Sequence, residues 1–144
     1  AQRFTRVFDE LAARYRDAEP IDVFFQVSAR PLYTINREHF ISEIIAVCGG
    51  RNVFEDVGEF APSVSVEAVL ERNPEVLLAG ANLGDDAFAD WTRWEELAAN
   101  RHGNRFLLPD DTIVRPSPRL AQAASSVCAE LDNARGNRGR GGGR

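Results

Sequence analysis

The chain has 144 residues, 44% of them apolar, which is one domain's length with enough material for a core. No apolar run reaches about 18 residues, so no transmembrane helix is predicted, and no basic-then-apolar start with a small-residue cleavage site is visible. The net charge is −5, but four of the 17 arginines lie in the last ten residues; residues 1–134 hold 13 arginines against 22 acids, an acidic body that argues against a nucleic-acid groove.

All the Lys+Arg content is arginine, which excludes lysine Schiff-base chemistry and a phosphate-loop lysine. Phe4, Val7, Phe8, Leu11 and Tyr15 share one helical face with no capping residue before them, so the chain is expected to open inside a helix whose upstream part is missing. Asp17 to Pro20 reads as a linker and Ile21 to Val27 as a strand. The loop Ser28 to Asn36 carries Arg30, Pro31 and Tyr33. A helix capped near Asn36 follows, with Phe40, Ile41, Ile44, Ile45 and Cys48 on its inner face and Gly49-Gly50 as its left-handed stop.

Asp56 to Val64 is irregular and holds Phe60 and Pro62. Ser65 can cap a second helix with Glu67 in its first turn and Val69-Leu70 inward, and Asn73-Pro74 ends it. Glu75 to Gly80 reads as a buried parallel strand. A polar loop follows at Ala81 to Asp86. Ala87 to Asn100 is helical in part, with Trp91, Trp94, Leu97 and Ala98 inward. Asn104 to Leu108 is a third strand. The loop Pro109 to Pro116 carries Asp110, Asp111 and Arg115, and Ser117-Pro118 starts a last helix with Leu120, Ala124, Val127, Cys128 and Leu131 inward. The closing stretch RGNRGRGGGR has the composition of a flexible terminus.

Strands alternating with helices predict an α/β fold: parallel strands, right-handed crossovers, and helices on both faces. Ligands in such sheets bind beyond the carboxyl ends of the strands. Three predicted loops leave those ends, and they bring Arg30, Tyr33, Asn82, Asp111 and Arg115 towards one rim. Catalytic motifs are missing from the sequence: there is no Gly-x-Ser-x-Gly elbow, phosphate loop or Gly-x-Gly-x-x-Gly after a strand. His39 and His102 lack a cysteine or carboxylate at metal-ligand spacing and read as surface residues, and Asp85-Asp86 and Asp110-Asp111 read as caps or solvated turns. Cys48 and Cys128 lie on the inner faces of two different helices. Position alone leaves buried free thiols and a disulfide both open.

Four segments carry a family resemblance: FFQVSARPLYT, HFISEIIAVCGGRNVF, APSVSVEAVLERNPEVLLAG and DDTIVRPSPRLAQAASSVC. In order and spacing, over residues 21 to about 131, they resemble the carboxyl-terminal lobe of periplasmic vitamin B12-binding proteins. These are the substrate-binding components of ABC importers, in the class III architecture whose two lobes are joined by one long helix. The resemblance implies a three-layer, Rossmann-like lobe with a mostly parallel sheet. Residues 1–18 would be the end of the bridging helix, 19–133 the ligand-binding lobe and 134–144 a Gly/Arg-rich tail.

It further implies binding rather than catalysis, with no resident cofactor or metal. The ligand would be cobalamin, with an iron-siderophore or haem as the alternative in the same architecture; a fragment of a small α/β enzyme is the rival from another class. The other partner would be a membrane permease. The place would be the periplasm, free or lipid-anchored outside the inner membrane, with membrane contact only through the importer.

Residue by residue, Glu67 falls at the acid that docks on permease arginines, Tyr33 at an aromatic that lies against the corrin, and Asp111 and Arg115 at polar cleft positions. Cys48 and Cys128 fall at a lobe-internal disulfide. The sequence departs from the family at two cleft tryptophans. One aligns near Ala61, with Phe60 beside it, and the other is Thr112.

Overall fold

A computed structural model describes residues 2–108 and 120–141, with side chains described for 6–108 and 121–138. The helices are α1 (Gln2–Arg14), α2 (Phe40–Val47), α3 (Val66–Arg72), α4 (Ala98–His102) and α5 (Leu120–Gly141). The strands are β1 (Ile21–Gln26), β2 (Gly50–Asn52), β3 (Val76–Gly80) and β4 (Arg105–Leu108), and they form one sheet in the order β2-β1-β3-β4. Every neighbouring pair is parallel, with Ile21 opposite Gly50, Val23 opposite Val76 and Leu77 opposite Arg105. The fold is α/β, as expected.

Alternation along the two central strands builds the core on both faces. Val23, Phe25, Val76 and Leu78 point to one side, where they meet Ile41, Ile44 and Ile45 of α2 and Val127 and Leu131 of α5, with α1 packed alongside. Phe24 and Leu77 point to the other side and meet Val69 of α3, Phe54, Trp91 and Leu97. Phe24 makes edge-on contacts with both Phe54 and Trp91, at 5.7 and 5.9 Å between ring centroids. The strands are thus apolar on both faces because both faces are covered.

The structure corrects the expected elements in three places. Gly50–Asn52 is an edge strand rather than a plain helix stop. Gly49 does stop α2, at φ 84°, and a Cβ there would sit 2.7 Å from the Arg135 guanidinium; a Cβ on Gly50 would sit 2.9 Å from both Ile45 and Leu131. The first glycine therefore turns the chain, and the second lets β2 begin hard against two helices. Next, α2 is capped by His39, whose Nδ1 accepts from the Ile41 amide, and not by Asn36. Ala87 to Asn100 is helical in part, as expected: a single 3₁₀ turn at Ala89–Trp91, and α4 beginning at Ala98. The predicted start of the last helix at Ser117-Pro118 lies outside the described residues.

The third correction concerns the Gly/Arg stretch. Composition predicts a flexible terminus, yet α5 continues to Gly141. Arg135 donates to the carbonyls of Glu19 and Cys48 at 2.9 and 2.7 Å, and so caps the carbonyl end of α2. Arg138 grips the Glu75 carboxylate through two hydrogen bonds of 2.6 and 2.9 Å and donates to the Pro20 carbonyl at 2.6 Å. The Asn137 side chain donates to the Asn104 side chain. These contacts tie α5 to the approaches to β1, β3 and β4, across the amino-terminal edge of the sheet.

Cys48 and Cys128 form a disulfide that joins the end of α2 to α5, and its 80-residue separation makes the bridge worth about 4 kcal/mol in the chain-entropy account. The Cys48→Ala/Cys128→Ala double variant is expected to lose roughly 2–5 kcal/mol in urea unfolding. An unchanged midpoint with an unchanged slope would show that α2 and α5 are held by packing alone.

Candidate functional site

The loops after β1, β2 and β3 gather at the carboxyl edge of the sheet, opposite the edge that α5 ties down. The chain after β1 folds back on itself. Val27 donates to the Tyr33 carbonyl at 2.9 Å, and the Arg30–Pro31 peptide within this turn is cis. Residues 32–36 then zip against residues 60–64: Thr34 N donates to Pro62 O, Asn36 N to Phe60 O and Val64 N to Leu32 O, each at 3.0 Å. Tyr33 and Phe60 thereby come to lie on two paired segments of the same rim.

Buried polar side chains hold those segments in place. Thr34 Oγ1 donates to the Phe25 carbonyl at 2.7 Å, fastening the returning segment to the end of β1. Asn52, 2% exposed, donates to the Ile35 carbonyl and the Ser42 hydroxyl and accepts from the Phe54 amide. Ser42 in turn donates to the Asn36 carbonyl, and Asn36 donates to Val57 O. Backbone groups of three loops are satisfied by four side chains, Asn36, read from the sequence as a helix cap, and Thr34, Ser42 and Asn52, which carried no signal there. A second anchor fixes the segment after β3: Gln26 donates to Ala87 O at 2.6 Å and accepts from the Trp91 indole at 2.7 Å.

Against this scaffold the exposed large apolar side chains among the described residues are Val27 (40%), Tyr33 (37%) and Phe60 (53%). All belong to the rim. The Phe60 ring lies 5.3 Å from the His39 ring, and His39 stacks on Phe40 at 4.6 Å. Burial pushes the His39 imidazole below its ordinary pKa, which favours the neutral ring.

The other predicted residues are placed as follows. Arg30 is on the rim loop, but its guanidinium faces Asp90 in a two-point pair of 2.7 and 3.2 Å, which holds the Asp90 carboxyl below the usual carboxylate range. Asn82 is exposed in a 3₁₀ turn at Ala81–Leu83, directly after β3. Asp111 and Arg115 lie outside the described residues. Glu67 is exposed in the first turn of α3, behind Ser65, whose hydroxyl accepts from the Ala68 amide. It stands between two shallow depressions of about 500 and 350 Å³, one edged by Glu71 and Glu96, the other by Asp90 and Arg93. Glu67 is thus in the first turn of α3, three residues after the Val64 amide that pairs with Leu32. Among the described residues no group of three or more His, Cys, Asp or Glu could hold a metal ion, and no helix is long and apolar enough to cross a membrane.

No protein-family model matches the chain. A vitamin B12-binding protein of Vibrio parahaemolyticus is 34% identical over 140 residues, covering 96% of this chain and 50% of that protein. A vitamin B12-binding protein of Yersinia pestis is 29% identical over 133 residues, covering 91% of this chain and 45% of the relative. Among solved structures, the periplasmic vitamin B12 binding protein BtuF of Vibrio cholerae superposes with a TM-score of 0.78 at 32% identity, over 93% of this chain and 52% of that one. The periplasmic heme binding protein HutB of Vibrio cholerae has the same fold, at a TM-score of 0.77 and 18% identity over 90% of this chain and 54% of that one.

The four-stranded parallel sheet with helices on both faces is therefore the α/β architecture of one half of a periplasmic substrate-binding protein. Within that fold the chain is similar in sequence to vitamin B12-binding proteins and spans about half the length of the curated relatives it matches, as the resemblance implied. Those relatives are named as binding proteins, not as enzymes.

Asn52→Ala would leave the Ile35 carbonyl and the Phe54 amide buried without partners. It is expected to lower unfolding stability by about 2–3 kcal/mol and to speed amide exchange in residues 33–36 and 60–63 before the rest of the sheet. Uniform protection across the sheet would contradict the role given to this side chain.

Proposed function

We propose that the chain is the carboxyl-terminal lobe of the substrate-binding component of an ABC importer, and that its rim is one wall of a two-lobed cleft for cobalamin. The observation that carries this reading is the clustering of the exposed large apolar side chains, Val27, Tyr33 and Phe60, on loops otherwise fixed by buried hydrogen bonds. An apolar surface held rigid is in place before the ligand arrives, so closing the cleft orders few side chains. Burying it yields roughly 25 cal/mol per Å² of apolar area. Tyr33 offers a flat face with a polar tip suited to a macrocycle that is apolar on its faces and polar at its edge. Asn82, Asp111 and Arg115 supply polar contacts on the same wall. Arg30 acts through Asp90 and steadies the loop that carries Tyr33.

The mechanism is enclosure without turnover. The missing half of the cleft comes from a second lobe, joined through the helix whose end is α1. Glu67 then grips an arginine of the permease from the first turn of α3. The protein works in the periplasm, free or lipid-anchored, and touches the membrane only through the importer. A haem or ferric siderophore in place of cobalamin is the alternative that the test separates.

The test uses the full-length protein that carries this chain. Protein purified from cells fed cobalamin is expected to show the corrinoid visible spectrum, and the lobe alone is expected to bind cyanocobalamin at least about 100-fold more weakly, because half the contact area is lost. Glu67→Arg is expected to abolish cobalamin uptake while leaving its binding unchanged. Equal affinity of lobe and full-length protein would refute the shared cleft, and uptake unaffected by Glu67→Arg would refute the docking role.

A further inference from the structure

We propose that His39 is a ligand-contact residue of this rim, its Nε2–H donating to a carbonyl or carboxylate oxygen at the edge of a flat macrocycle laid against Phe60. The inference rests on the reading of the rim as one wall of the cleft and adds to it a residue that the sequence assigned to the surface. His39 sits at the rim because of topology. In a parallel β–loop–α unit the helix begins at the carboxyl end of the strand it follows, and His39 is the residue on which α2 begins.

The cap fixes the tautomer. Nδ1 accepts the Ile41 amide proton at 3.1 Å, so a neutral ring must carry its own proton on Nε2. A proton on Nδ1 would break that cap, and burial independently favours the neutral ring. The ring is also held in orientation, stacked on Phe40 with an interplanar angle of 25° and facing Phe60 at 31°.

Nε2 itself is unused. Among the described residues it has no hydrogen-bond partner, and it is not one of the buried side-chain atoms left unsatisfied, so solvent reaches it. The side chain beside it, Phe60, is the most exposed of the large apolar residues. A fixed, uncharged donor next to a bare aromatic face is what a pocket needs to orient a ligand that is apolar on its faces and oxygen-bearing at its edge. The helix cap alone does not require an imidazole, because asparagine and serine cap as well or better. Neither would stack on Phe60 or direct a donor past it.

That difference supplies the experiment. In the full-length protein, His39→Asn and His39→Ser keep a side-chain oxygen at the cap and remove the ring and its Nε2–H. Both variants are expected to unfold at the wild-type temperature within a few degrees, while the Kd for cyanocobalamin rises about five- to twentyfold. The wild-type His39 Nε2 resonance, in ring-¹⁵N-labelled protein, is expected to shift on saturation with cyanocobalamin. Wild-type affinity in both variants, together with an Nε2 resonance that does not move, would overturn the proposal and leave His39 a cap only. If wild-type protein binds none of cyanocobalamin, haemin or a ferric hydroxamate, the cleft reading itself falls and the contact falls with it.

Discussion

The parallel pairing of β1 with β3 is the constraint from which the rest follows. Val23 to Gln26 run beside Val76 to Ala79 in the same direction, and parallel neighbours cannot be joined by a tight turn. Each must be reached by a crossover, so every strand's exit loop opens at one edge and every entry lies at the other. Because both faces of these strands are buried, each face needs its own cover. Helices α1, α2 and α5 supply one, and α3 with the Trp91 and Leu97 segment supplies the other. Burial of each large side chain is worth roughly 1.5–3 kcal/mol, so the central strands carry much of what holds the layers together.

The two edges of the sheet are built differently. At the entry edge, polar groups point inward to the chain: Arg135 and Arg138 neutralise carbonyls and a carboxylate from Glu19, Pro20, Cys48 and Glu75, and the disulfide locks α5 to α2 nearby. At the exit edge the backbone is satisfied from within, by Thr34, Asn36, Ser42 and Asn52, and the exposed large apolar side chains among the described residues, Val27, Tyr33 and Phe60, face water there beside exposed polar ones such as Arg30 and Asn82. A rigid edge that presents apolar surface can meet a ligand with few side chains left to order. This contrast is why the proposed cleft wall is placed on the exit side.

Much of this was legible in the residues. The central strands, the inner faces of α2 and α5 and the Ser65 cap are written in short-range pattern, and the fold class follows from their alternation. What escaped depends on contacts between residues far apart in the chain. The three residues of β2 are too few to show a period and become a strand only beside Ile21 to Val23. The glycines in ARGNRGRG oppose a helix by propensity, yet α5 continues because Arg135 and Arg138 find acceptors more than 60 positions away. Asn36 looked like a cap and instead serves a loop carbonyl, while His39 took the cap. Arg30 was placed on the right loop, but its partner, Asp90, is 60 residues on. The Cys48–Cys128 pairing came from family resemblance and not from spacing.

The central claim is that the exit-edge loops form a ligand-binding wall. Hydrogen–deuterium exchange on the full-length protein, with and without saturating cyanocobalamin, tests it most directly. The account predicts new protection concentrated in residues 27–36 and 57–64, with little change at Glu19 to Pro20, Glu75 and Asn104 on the opposite edge. Protection confined to that opposite edge, or spread over the lobe with none at Tyr33 and Phe60, would contradict it.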